Sequence, residues 1–168
     1  RTKKNEKGLA YIAEGKQFDG ADSLYFPVEK AANFFPKNTA LRFLGKNISY
    51  KTLAEKVSEY SSCLLKAGLK KGEAVTFALP NIPESVYLLY ATQKAELRTS
   101  PLHPLSTPEA VSSAIEKTGS RIVFALGDAA RKIAERCADA TVVVVSPANS
   151  LGIKKLLFSL RSPLPKKS

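Results

Sequence analysis

The chain has 168 residues, of which 44% are hydrophobic and 24% are charged. This composition suits one domain with a packed core and excludes a globally disordered chain. No apolar run approaches the roughly 18 residues that a transmembrane helix needs, and the charged segment 1–8 lacks the apolar centre of a secretory signal. We therefore expect a cytoplasmic protein.

The net charge of +11 raises the question of nucleic-acid or membrane binding. Most of the excess lies at the two ends, with +3 over residues 1–7 and +5 over residues 153–168. A nucleic-acid-binding domain would carry more of its positive charge on the folded body, interleaved with aromatic residues. We therefore interpret the ends as solvated tails and expect no nucleic-acid partner.

Composition divides the chain into three parts. Residues 1–20 show no hydrophobic period, which predicts an irregular basic arm, and residues 21–150 alternate between helical and extended patterns, which predicts the folded domain. Residues 151–168 combine an apolar stripe with lysines, which predicts a basic amphipathic helix and tail. That helix could lie peripherally on a membrane, but a single short stripe binds membranes only marginally, so packing on the domain is favoured.

The domain opens with a predicted helix and a predicted hairpin. Val28–Phe35 carries apolar residues at helical spacing, Asp22-Ser23 could cap this helix, and Pro36 ends it. Two extended segments then flank a glycine-containing turn at Gly45-Lys46, as in a short hairpin. These segments are Thr39–Phe43 and Asn47–Tyr50.

A long helix follows the hairpin. Ser49 or Thr52 can cap its beginning, and Gly68 stands where a left-handed residue commonly ends a helix. Its apolar stripe has the spacing of one helical face. The stripe consists of Leu53, Val57, Tyr60, Ser61 and Leu64.

From Ala74 onward, strands and helices alternate. The strands are predicted at Ala74–Leu79, Arg98–Leu102, Arg121–Ala125 and Thr141–Val145. The helices between them are predicted at Pro83–Lys94, from Pro108 to Gly119, and from a cap at Asp128 to Cys137. Pro83 suits a first helical turn, and the apolar run behind it predicts a helix buried on nearly all sides. Ser106 and Glu109 have the spacing of a capping box.

This order predicts an α/β fold, in which a doubly wound, mostly parallel sheet carries helices on both faces beside the N-terminal hairpin. Thr141–Val145 is a continuous β-branched run, typical of a strand covered on both faces.

Few residues indicate chemistry, since neither a phosphate-loop motif nor G-x-S-x-G occurs. Cys63 and Cys137 lack CxxC spacing, so two buried thiols are expected and no metal site. His103, the only histidine, lies in a proline-flanked loop at the carboxyl end of a strand, where ligands gather in open α/β sheets. It is the one candidate for contact with a ligand, although a single backbone hydrogen bond is the favoured interpretation.

Four segments occur in a suggestive order. They are Asn38–Gly45 with Ile48–Leu53, Ala67–Val75 (compare GL-x-x-GD-x-V), Leu79–Glu84 (compare PN-x-x-E), and Pro101–Ser106 with Glu109 (compare NP-x-x-x-x-E). Together they resemble the N-terminal subdomain of the AMP-forming acyl-CoA synthetases, within the adenylate-forming superfamily, over residues 27–160. One departure concerns Lys94-Ala95-Glu96-Leu97, where the family usually has Lys-x-Gly-Ala.

The resemblance implies an enzyme that activates a carboxylic acid with ATP and Mg²⁺ and passes the acyl group to coenzyme A. Such chemistry needs the phosphate charge neutralised while the carboxylate is oriented. In the family these two tasks are carried out by a phosphate loop, a later acidic residue and a lysine of a mobile C-terminal domain. None of these lies within the resemblance, so we assign no catalytic residue and no metal ligand, and expect an inactive fragment whose partners are those missing parts.

The loop Pro101–Ser106 and the Lys154-Lys155 helix resemble synthetases for fatty or other lipophilic acids. An adenylation domain of the peptide-synthetase type or an aryl-acid ligase is the alternative within the superfamily. A non-catalytic binding module, with basic tails for anionic lipid or nucleic acid, is the alternative of a different class.

Overall fold

A computed structural model describes residues 23–146 of the chain. The predicted arm at 1–20, the predicted helix and tail at 151–168, and Asp22 lie outside the described residues. The described helices are α1 (Phe26–Phe34), α2 (Tyr50–Lys66), α3 (Pro83–Lys94), α4 (Pro108–Thr118) and α5 (Gly127–Arg136). The described strands are β1 (Thr39–Phe43), β2 (Lys46–Ser49), β3 (Ala74–Ala78), β4 (Arg98–Leu102), β5 (Ile122–Leu126) and β6 (Thr141–Val145).

The sheet is parallel and has the strand order β4-β3-β5-β6, while β1 and β2 form a separate antiparallel hairpin. One face packs against α2, α3 and the hairpin. The other face packs against α4 and α5 through Val111, Ala130 and Ile133. The predicted α/β fold with helices on both faces is confirmed.

The core follows the apolar patterns of the sequence. All five residues of β3 are buried, because this inner strand has helices on both sides. The buried residues of α2 are those of its predicted stripe. Ser49 caps α2, since its Oγ accepts a hydrogen bond from the Thr52 N–H at 3.2 Å.

A hydroxyl caps α4, but it belongs to Thr107 and not to Ser106 of the predicted capping box. The Thr107 Oγ1 accepts from the Ala110 N–H at 3.3 Å, and Pro108 directly follows as the first helical residue, as predicted. The cap predicted for α5 was wrong. Asp128 lies inside the first turn of α5, which begins directly after β5 with Leu126 in the cap position. Its carboxylate instead accepts from the Arg131 guanidinium at 2.9 Å.

Some boundaries and environments also differ from prediction. The hairpin turn is Leu44-Gly45, and Tyr50 already belongs to α2. Cys63 is only half-buried, and Cys137 is buried just past the end of α5. Among the described residues, β6 is an edge strand whose cover is incomplete on one face, because Val142 packs on the smaller core but Val144 is 59% exposed.

The junction between α3 and β4 contains a strained residue. Glu96 has a left-handed backbone, with φ +55°, at the position where the resembling family usually has glycine. Its carbonyl accepts from the Gly72 N–H at 2.8 Å, and its carboxylate pairs with Lys71. A side chain in this conformation costs about 1 kcal/mol, which glycine avoids because it lacks Cβ.

We therefore expect Glu96→Gly to be more stable than Glu96→Ala by about 1 kcal/mol. Both variants remove the exposed ion pair with Lys71, but only glycine relieves the strain of the left-handed backbone at this position. Urea unfolding of the two variants measures the difference. An alanine variant at least as stable as the glycine variant would contradict the assignment of strain.

A partly buried ion pair closes the amino edge of the sheet. The Arg121 guanidinium lies 2.7 Å from Glu73 Oε2, and each side chain is only 17% exposed. Arg121 also donates to the Gly68 carbonyl at 3.0 Å, while Glu73 accepts from the Lys70 N–H at 2.9 Å. The pair therefore joins the turn before β3 to the start of β5.

Arg121→Ala should lower the free energy of unfolding by about 2–3 kcal/mol, because the Glu73 carboxylate would stay largely buried without its cation. Lys71→Ala is the matched control, since it breaks an exposed pair and should cost no more than about 0.5 kcal/mol. Chemical denaturation measures both. Similar losses in the two variants would show that burial of the Glu73–Arg121 pair has no energetic consequence.

Candidate functional site

An apolar groove lies at the carboxyl edge of the sheet, where β3 and β4 end beside the hairpin and α3. Ligands in open α/β sheets bind at this edge. The groove has a volume of about 560 Å³, within the range of small-molecule sites. It is lined by Leu41, Arg42, Phe43, Phe77, Leu79, Asn81, Ile82, Pro83, Ser85, Val86, Leu89, Pro101, Leu102 and Pro104.

The turn between β3 and α3 forms one wall of the groove. Ile82 has an extended backbone in the cap position, and Pro83 follows as the first helical residue. The Ser85 hydroxyl donates to the Pro80 carbonyl at 2.5 Å, and the Ile82 N–H donates to the same carbonyl at 2.8 Å. Two prolines and two short hydrogen bonds therefore hold this wall in one conformation.

The helix α3 presents two different sides. Glu84, Tyr87, Leu88 and Ala91 are buried, whereas Val86 and Leu89 are half-buried. The predicted burial on nearly all sides was therefore wrong for the side that lines the groove. The physical reason is the groove itself, which leaves that side of α3 partly open to solvent.

The lining carries little charge. Arg42 is its one charged residue, and none of its described residues is acidic. Asn81 and Ser85 add polar groups beside the apolar surface. The groove can therefore accept an apolar group.

A buried cluster of polar side chains lies between α2 and α3, next to the turn that forms one wall of the groove. Glu84 is 1% exposed, and the rings of Tyr60 and Tyr87 meet edge to face with centroids 5.7 Å apart. Burial, and next the negative charge of Glu84, raises the pKa of the Tyr60 phenol. The phenol of Tyr60 is therefore kept protonated in the folded protein.

This raised pKa predicts a loss of stability at alkaline pH. Because the folded pKa of Tyr60 lies above the unfolded value of about 10, its contribution is complete below pH 10 and is lost as the pH rises further. Tyr60→Phe should therefore lose less unfolding free energy than the wild type between about pH 10 and 11.5. Identical pH dependence of the variant and the wild type, measured by urea unfolding, would contradict this role of Tyr60.

The structure places His103 in the loop between β4 and α4. Its side chain is exposed and does not line the groove, although the neighbouring Pro104 does. Its Nδ1 accepts a hydrogen bond from the Leu105 N–H at 3.2 Å. Contact between His103 and a ligand stays a prediction.

Sequence reasoning missed the groove-lining residues of the hairpin. Leu41, Arg42 and Phe43 lie more than 30 positions before the β3–α3 turn that they face across the groove. The alternating pattern of β1 predicted that one of its sides would be buried. Nothing in the nearby sequence indicated which distant residues form the opposite wall of the groove.

Residues 23–146 contain no group of three His, Cys, Asp or Glu side chains that could hold a metal ion. We derive no step through the Mg²⁺ that the resemblance implies.

None of the helices within residues 23–146 is long and apolar enough to cross a membrane.

The sequence matches a known class of α/β enzymes. Residues 28–164 match the sequence model of the family described as AMP-binding enzyme. The chain therefore belongs to the AMP-binding, or adenylate-forming, enzyme family. The resemblance based on its four motifs is confirmed.

Individual relatives agree with this assignment. Acetyl-coenzyme A synthetase of Rhodobacter capsulatus is 31% identical over 79 residues, which cover 47% of this chain and 12% of that protein. The crystal structures of a benzoate CoA ligase from Burkholderia xenovorans LB400 superpose with a TM-score of 0.70 at 16% identity, covering 76% of this chain and 26% of that one, so this likeness shows the fold alone. MatB from Rhodopseudomonas palustris gives a TM-score of 0.63 at 26% identity, covering 67% and 23%.

Proposed function

We propose that this chain is the N-terminal part of an ATP-dependent, AMP-forming ligase that converts a carboxylic acid, ATP and coenzyme A into acyl-CoA, AMP and pyrophosphate. The family match over residues 28–164 carries the proposal. The chain spans about an eighth of the acetyl-coenzyme A synthetase and about a quarter of the two solved structures. A longer parent protein, with a phosphate-loop region and a mobile C-terminal domain, is therefore part of the proposal.

In this proposal ATP, Mg²⁺ and coenzyme A bind to the parent enzyme. ATP activates the carboxylate, and coenzyme A receives the acyl group. The chain described here contributes the sheet edge and the walls of the groove, and it is inactive alone. We place the enzyme in the cytoplasm.

The chemistry of the groove supports a fatty or other lipophilic acid as substrate. Its walls include Phe77, Leu79, Val86 and Leu89, which favour an apolar chain over water. A carboxylate entering the groove meets no acidic lining residue within residues 23–146.

An aryl-acid ligase or a peptide-synthetase adenylation domain is the second candidate. A benzoate CoA ligase shares the fold, so this fold is compatible with an aryl acid. Both candidates share the same activation reaction and differ in the acid, so the acid that reacts distinguishes them.

The test is exchange of radiolabelled pyrophosphate into ATP with acetate, benzoate, octanoate and palmitate. We expect the parent protein to exchange most rapidly with a lipophilic acid, and the 168-residue chain to be silent. Exchange by the 168-residue chain would show that it contains a phosphate site of its own. Silence of both proteins would leave the binding module with basic tails as the better account.

A matched pair of variants in the parent protein tests the part played by the groove. Val86→Trp fills the groove and should lower kcat/KM for octanoate about tenfold more than for acetate, since one to two methylene contacts are each worth about 0.8 kcal/mol. Leu65→Trp is the control, because Leu65 lies on the exposed side of α2. Equal losses of kcat/KM for octanoate and acetate in Val86→Trp would show that the groove takes no part in substrate recognition.

A further inference from the structure

The tip of the β1–β2 hairpin combines an exposed leucine with a strained backbone. Leu44 and Gly45 form the two-residue turn between the paired residues Phe43 and Lys46, and both have a positive φ, +45° and +78°. Such turns favour asparagine or glycine at the first position, because a bulky side chain is strained in this conformation. The Leu44 side chain is nevertheless 72% exposed. It therefore benefits neither the turn nor the core.

The segment that contains this hairpin carries most of the positive charge of the described residues. Residues 23–146 include 16 basic and 11 acidic residues, a net charge of +5. Segment 37–51 contributes +4 of this charge and contains no acidic residue. Its basic residues, all of them exposed, are Lys37, Arg42, Lys46 and Lys51. The rest of the described residues therefore has a net charge of only +1.

Two of these cations flank the exposed leucine on opposite faces of the hairpin. Lys46 pairs with Phe43 across the two strands, and Arg42 directly precedes Phe43. Since paired side chains share a face and successive side chains alternate, Arg42 and Lys46 lie on different faces. Lys51 lies farther from the tip and contacts Glu55 at 3.9 Å. The tip therefore presents one apolar side chain between two positive charges.

The hairpin tip also borders the apolar groove. Phe43 lines the groove and directly precedes Leu44, and Pro104 lines it and directly precedes Leu105. Leu105 is 83% exposed. Two exposed leucines therefore border the groove, one at the hairpin and one in the loop between β4 and α4.

We propose that the hairpin tip docks on the surface of a bilayer that contains anionic phospholipids. Leu44 enters the boundary between headgroups and acyl chains, while Arg42 and Lys46 lie among the lipid phosphates. The strain at Leu44 is then tolerated for an apolar contact that the folded chain alone does not provide. Docking itself does not depend on the proposed reaction. Its consequence, that lipophilic acids dissolved in the bilayer reach the groove, rests on the proposed function.

Two other occupants fit this surface less well. A second copy of the chain, related by two-fold symmetry, would bring the same cations against each other. A nucleic acid would match the charge, but surfaces that bind single strands add aromatic rings for stacking, and the residue at this tip is aliphatic. A bilayer accepts both the charge and the apolar side chain.

The first test measures co-sedimentation of the 168-residue chain with vesicles of equal parts phosphatidylserine and phosphatidylcholine. Leu44→Asn should weaken binding about tenfold, because it removes the apolar contact. Its Tm should equal or exceed that of the wild type, since Asn-Gly suits the turn, so unfolding cannot explain the loss. Leu65→Asn is the matched control, because Leu65 is an exposed leucine of α2. Equal affinities of the two variants would overturn the proposal.

The second test removes the charges of the tip. Arg42→Gln with Lys46→Gln should weaken binding to the same vesicles about 30-fold, or about fivefold for each cation. Lys66→Gln with Lys70→Gln removes the same net charge at the other end of α2 and should weaken binding about twofold at most. Equal losses in the two double variants would show that binding follows the overall charge, basic ends included, and would overturn the proposal.

The other occupants are tested with the Leu44→Asn variant. Dimerisation of the wild type in analytical ultracentrifugation that is lost in this variant would assign the tip to a second copy. Binding to an oligonucleotide that is tighter than binding to the vesicles, and unchanged in the variant, would assign the cations to nucleic acid. Either result would overturn the proposal. Because vesicle binding needs neither ATP nor an acid, its failure is distinguishable from a failure of the proposed reaction.

Discussion

The burial of β3 on both faces is the constraint on which the rest of the structure depends. Every residue of Ala74–Ala78 is buried, so both faces need a helical layer and both neighbours need to be strands. The larger core forms on the side of α2 and α3, and the smaller core on the side of α4 and α5. The end of β3 then positions the Pro80–Pro83 turn and, through it, one wall of the groove.

The two edges of the sheet have different physical character. The amino edge contains polar contacts that hold loops together, such as the Glu73–Arg121 pair and the Glu96 carbonyl at the Gly72 N–H. The carboxyl edge is open and apolar, with Arg42 as the charged residue of the groove. Stabilising contacts at one edge leave the other edge open, which fits the general placement of ligand sites in open α/β sheets.

The hydrophobic pattern of the sequence predicted helices and strands well where burial alone determines their position. The stripe of α2 and the bounds of β6 agree with the structure, because the first follows from a repeating apolar pattern and the second from a continuous β-branched run. The cap of α4 was predicted less well, because Ser106 and Thr107 are adjacent hydroxyls that could each accept the same N–H. The cap predicted at Asp128 failed because α5 begins directly after β5 and has no side-chain cap. The groove escaped prediction because its walls come from distant parts of the chain. The exposure of Val144 was missed because a β-branched run looks the same in an inner strand and in an edge strand.

The most direct test of the account is the product of the reaction. The parent protein would be incubated with octanoate, ATP, Mg²⁺ and coenzyme A, and the nucleotides and thioesters would be separated by liquid chromatography and identified by mass spectrometry. The account predicts octanoyl-CoA and AMP in equal amounts. Formation of ADP in place of AMP, or of neither thioester nor AMP with any acid of the panel, would contradict it.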